Sequence, residues 1–210
     1  MRGLWRFPVK IVAVMAVAAA AMAVSVGTVR ADVAERRAAL EKVRDGLNDP
    51  DPLVRLITLE EVSTSEDALL RSMALRQAIG IADPDLQALA ARMFFSGLQT
   101  FSLDLANARV TGGDDAKAKP ILTQLQQTGL NFQVSDFDVG TGAFKIRFQA
   151  HGDPMDGQVT GTTVSFQTYW HNFANCRTSL RVGEALDLTG TIMCIDGGNA
   201  VTADVTRKFY

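Results

Sequence analysis

Two short stretches hold the side chains best suited to chemistry. One is HGDPMDG, where His151, Asp153 and Asp156 could form an acid/base or metal-binding group. The other is TYWHNFAN, where Tyr169, Trp170, His171, Asn172 and Phe173 set three aromatic rings beside hydrogen-bonding side chains. Asp, Gly and Pro are also what a tight turn requires for backbone reasons, and metal loops need more ligands at fixed spacing, so HGDPMDG reads as a turn. The aromatic stretch supports two readings. Aromatic platforms beside amides hold sugar rings or protein hot spots, whereas alternating aromatics on a strand can simply divide between core and surface. The chain has no Gly-x-Ser-x-Gly, no His-Glu-x-x-His and no phosphate-binding glycine loop. The expectation is therefore a protein that is not an enzyme and carries no cofactor and no metal.

Asp51, Asp67 and Asp83 recur every sixteen residues and first suggest a row of acidic ligands. In register, the blocks beginning at these residues also align Val54, Leu70 and Leu86; Arg55, Arg71 and Gln87; and Ile57, Met73 and Leu89. Apolar positions at offsets 3, 6, 7 and 8 share one face of a helix with 3.6 residues per turn. Each Asp then reads as an N-cap whose carboxylate accepts unpaired first-turn N–H groups, and Pro52 and Pro84 fall where a missing N–H costs nothing. The preceding segment, with Leu40, Val43 and Leu47 as its stripe, reads as a degenerate first helix.

DPDPLVRLITLEEV and DPDLQALAARMFF resemble the HEAT-like repeats of the phycobilisome-lyase type over roughly residues 35–98. The resemblance implies a stack of helix pairs used as a scaffold or for binding partners. About two helix pairs is fewer than such arrays normally need. The helices are therefore expected either to line a binding surface or to buttress the second half of the chain, with Met93 to Leu105 as the apolar seam.

The leader begins with three basic residues and no acid, then runs IVAVMAVAAAAMAV, fourteen apolar residues. That is the plan of a signal peptide and is short for a bilayer span, so no integral membrane segment is expected after cleavage. Val29 and Ala31 suit cleavage before Asp32; Ala21 and Ala23 offer an earlier site. Removing residues 1–31 takes four of the 21 basic residues and none of the 23 acidic ones, leaving a net charge near −6. A protein of that balance is a poor partner for nucleic acid.

The expected fold is α+β. A signal peptide (1–31) precedes a short antiparallel helical module (32–108), and an antiparallel β-meander or small barrel (114–210) follows with one flanking helix around Pro120 that ends at Gly129. Six strands are predicted, because AFKIRFQA alternates Phe144, Ile146 and Phe148 against Lys145 and Arg147, and similar runs follow. Gly161 and Gly190 are expected at bends. Six strands fall short of the eight in the smallest membrane barrels. Cys176 and Cys194 are symmetric about Ala185 in the turn VGEALD, so they should face each other across a hairpin and close in an oxidising compartment, a loop worth about 3 kcal/mol. These features point to an exported, periplasmic or secreted, non-enzymatic scaffold or protein-binding protein. Its partner would be another envelope protein or a glycan. A glycan-binding module using Tyr169, Trp170 and Phe173, or a hydrolase using His151, Asp153 and Asp156, are the alternatives.

Overall fold

A computed structural model describes residues 33–127, 129–148, 153–170, 174–207 and 209, with Trp170 described for its backbone alone. The predicted leader, His151, His171, Asn172 and Phe173 lie outside the described residues.

Helix α1 covers 33–47, and α2 (Pro52–Ser63), α3 (Ala68–Gly80) and α4 (Pro84–Ser96) follow, joined by three- or four-residue turns. The sixteen-residue beat is a repeat of hydrogen bonds. Asp51 accepts from Leu53 N at 2.9 Å, Asp67 from Leu69 N at 2.9 Å and Leu70 N at 3.1 Å, and Asp83 from Asp85 N at 3.0 Å and Leu86 N at 3.2 Å. Each carboxylate thus satisfies first-turn donors that have no intrahelical partner. Four residues further on, the aligned side chains also share a task. Arg55 donates to Asp49 O at 2.7 Å, Arg71 to Ser65 O and Gln87 to Ile81 O at 3.0 Å, each reaching six residues back to close the preceding turn. Arg55 also binds Asp83, tying the cap of α4 to α2.

Eight antiparallel strands close into a barrel in chain order: β1 (Thr100–Gly112), β2 (Leu130–Ser135), β3 (Ala143–Phe148), β4 (Met155–Thr160), β5 (Thr163–Trp170), β6 (Ala174–Val182), β7 (Leu188–Asp196) and β8 (Asn199–Arg207). Helix α5 (Asp115–Gln127) connects β1 to β2 and packs on β1, β7 and β8 through Ala118, Ile121 and Leu125. Helices α2 to α4 and the barrel belong to one compact unit, 44–210.

Two expectations change. Residues 100–112, read as the end of the helical module and a linker, form β1: Phe101 and Leu103 point into the barrel while Ser102 and Asp104 point away, a period-two pattern that belongs to the sheet. The single third strand is two, because Gly161 (φ +57°) makes a tight turn between β4 and β5. The strand count therefore no longer argues against a membrane barrel. The direction of the side chains does: on β5 to β7, Ser165, Gln167, Arg177, Ser179 and Thr191 face outward and Val164, Phe166, Leu180 and Ile192 inward, the reverse of a lipid-facing barrel.

The interior is filled. Phe101, Phe132, Phe144, Phe148 and Phe166 pack ring to ring at 5.1 to 6.4 Å. Phe95 of α4 is fully buried and meets Phe101, Phe137 and Phe144, plugging one end. At that end Arg92 of α4 also donates to Val139 O (3.2 Å) and Gly140 O of the β2–β3 loop. The void among Leu130, Phe132, Phe148 and Thr168 has no room for a water molecule, so this part of the interior is packed core.

Cys176 and Cys194 form a disulfide directly across the β6–β7 hairpin, both buried in the interior. Register explains the pairing: Val182↔Leu188 through Asn175↔Ile195 all centre on position 185. Gly190 fits this hairpin because a Cβ there would sit 1.9 Å from Ser179 O, so the strands approach too closely for any side chain.

Candidate binding surfaces

Strands of a meander alternate in direction, so β3 and β5 end at the same mouth of the barrel, opposite the end that Phe95 plugs. The two stretches singled out in the sequence leave from that mouth. Asp153 is exposed there, while Asp156 lies one strand into the sheet and accepts a hydrogen bond from Lys145 at 2.7 Å. That bond, with the carboxylate's charge, raises the Lys145 pKa above 10.5 and keeps the ammonium charged. Asp156 is thus committed to a surface ion pair.

Tyr169 is 64% exposed on the outward side of β5, opposite Asn175 and, beyond it, Ile195. Its neighbours Thr168 and Cys176 face inward as a register pair, so the disulfide braces the strands that carry the exposed ring. Alternation alone dictates this division: Tyr169 is outward because Thr168 is buried.

Further along the same face, outward side chains of β4 to β8 enclose an open groove of about 770 Å³. One rung across it carries Gln167, Arg177, Met193 and Thr202, paired strand by strand, the next carries Ser165, Ser179, Thr191 and Asp204, and Asp156 lines the groove from β4. Sequence reasoning passed over these residues. A visible signal was present, since β5 has no charged residue and Arg177 is the first cation after it, on an outward position of β6. Among the described residues neither Arg177 nor Arg181 forms an ion pair.

A second surface lies on the helices. α2 exposes Leu53 (61%) and Ile57 (46%), and α3 exposes Leu69 (51%) and Met73 (47%). These are offsets 2 and 6 of the repeat. In α4, offset 2 is Asp85 and offset 6 is the half-buried Leu89. The helix seated against the barrel has therefore exchanged or covered what the other two leave open. Val54, also on α2, is exposed where its α4 counterpart Leu86 is fully buried.

The pKa of Asp83 is held below 3.8, first by the Arg55 side-chain hydrogen bond and then by the backbone N–H of Leu86. That of Asp138 is lowered chiefly by the Thr141 hydroxyl, with the N–H groups of Thr141 and Gly140 adding to it. Both are architectural: one fixes a helix start, the other the turn that receives Arg92.

Compared with known proteins, the chain matches no family model, no curated protein and no solved structure.

Proposed function

We propose that this chain is an exported, non-enzymatic scaffold or protein-binding protein of the cell envelope. Its docking face is on α2 and α3, and its disulfide-closed barrel is the rigid base. The observation that carries the reading is the solvent exposure of Leu53, Ile57, Leu69 and Met73 at repeat positions that α4 half-buries or makes polar. Each large apolar side chain left in water forgoes about 1.5–3 kcal/mol of burial. Clusters of such residues mark interaction surfaces. The likeness to HEAT-like repeats supports the same reading, as each helix repeats one cap and one side-chain brace. The buried disulfide, together with the basic and apolar leader, supports export.

The test is affinity capture from the envelope fraction with the mature protein and with Ile57→Asp/Met73→Asp, followed by reconstitution from purified components. The reading requires a stoichiometric partner that rebinds the wild type and not the variant. A partner that rebinds both equally would refute it.

A glycan-binding role is the second reading, favoured by the exposed ring of Tyr169. Saturable retention on a polysaccharide that is lost in Tyr169→Ala, with the thermal transition unchanged, is its expected result.

A further inference from the structure

The barrel is closed and, among the described residues, phenylalanine rings fill its interior, so a ligand of the sheet is met by outward side chains rather than by free strand edges. The groove on β4 to β8, about 770 Å³, has the size of a ligand site and is open to solvent. The acidic residues on either side are committed, Asp156 of β4 to the Lys145 ammonium and Asp204 of β8 to the Asn107 amide. Between them the outward face of β5 and β6 carries Arg177 in the groove and Arg181 just beyond it, unpaired among the described residues, and no acidic residue. Four residues apart on one strand, they point the same way at a separation of about 13 Å.

The chemistry around Arg177 narrows the ligand. A guanidinium fork matches a carboxylate with two parallel hydrogen bonds. Gln167, Ser165, Ser179 and Thr191 each both donate and accept, as sugar hydroxyls require. Tyr169, the next outward residue after Gln167, offers a ring face for the apolar side of a sugar. A peptide strand is disfavoured because a closed barrel has no edge to extend. Nucleic acid is disfavoured because two arginines neutralise too few phosphates.

We propose that the outward face of β4 to β8 binds an acidic polysaccharide, a chain bearing uronate carboxylates, with Arg177 and Arg181 as its anchors. The proposal rests on the glycan reading above and adds the ligand's charge class; it is independent of the helical docking face. Affinity electrophoresis and calorimetry of the mature protein against polygalacturonate and against neutral hydroxyethylcellulose test it. The expected result is retardation by polygalacturonate alone, weakening as salt rises. Arg177→Gln and Arg181→Gln should each weaken binding about tenfold, the size of losing one charge-assisted pair. Ile57→Asp/Met73→Asp should bind as the wild type does. No retardation by polygalacturonate, full affinity in Arg177→Gln, or tighter binding to single-stranded DNA or polyglutamate would each overturn the proposal. Equal binding to the neutral polymer, lost in Tyr169→Ala, would overturn it while leaving the broader glycan reading standing.

Discussion

Reducing the Cys176–Cys194 disulfide without changing any residue should lower stability by an amount set by the loop it closes. The two cysteines are 18 residues apart, and the chain-entropy relation gives about 3 kcal/mol for such a loop. In a protein of this size that corresponds to roughly 6–12 °C in Tm. Both sulfurs are inside the barrel, on strands paired on either side, so reductant reaches them only when the barrel opens. The assay has two parts. Thermal unfolding of oxidised protein and of protein refolded under reductant measures the shift. The rate of thiol appearance in dithiothreitol under native conditions measures access, and it should follow the global unfolding rate and rise with urea. A shift under about 2 °C would refute the loop-entropy argument. Fast reduction in native buffer, insensitive to urea, would refute the interior placement.

Three further outcomes follow from particular contacts. Phe95→Ala removes the ring that plugs the barrel and should cost about 3–5 kcal/mol in chemical denaturation, with loss of the contacts to Phe101, Phe137 and Phe144. Gly190→Ala puts a methyl group against the Ser179 carbonyl and should lower Tm far more than alanine at the exposed Gly161–Thr162 turn does at Thr162. Asp83→Asn keeps an oxygen to cap α4 but loses the charge that Arg55 binds. A carboxylate with a depressed folded-state pKa contributes stability above its unfolded value and loses it as pH falls through the folded value. The Tm gap between wild type and Asp83→Asn should therefore be full at neutral pH and close as pH drops below 3.8; a gap constant with pH would contradict the ion pair.

How much of this was legible in the chain differs from element to element. The Asp caps were readable because capping is local: the acceptor and its donors lie within three residues. The cysteine pairing was readable because a hairpin's register is fixed by its turn, and Ala185 sits at the centre of both. β1 was hidden because Phe94, Phe95, Phe101 and Leu103 run as one apolar stretch, and the change from helical to strand period occurs over only Gly97–Gln99. The β4–β5 turn was hidden because Val and Thr flank it on both sides and a two-residue turn at Gly161 has little composition of its own. The groove was illegible for a different reason. Alternation tells that Gln167, Arg177 and Met193 face outward, but only the register of three strand pairs puts them on one rung. The exposed helix face required the barrel to be known first, since Ile57, Met73 and Leu89 look alike until α4 alone is seen against Phe144 and its neighbours.

The central claim, that α2 and α3 form a docking face for a protein of the envelope, is tested most directly by hydrogen exchange of the mature protein alone and with its captured, purified partner. Amide protection should increase over residues 52–75 and stay unchanged over the barrel strands. Protection gained on the strands with none on α2 and α3 would contradict it.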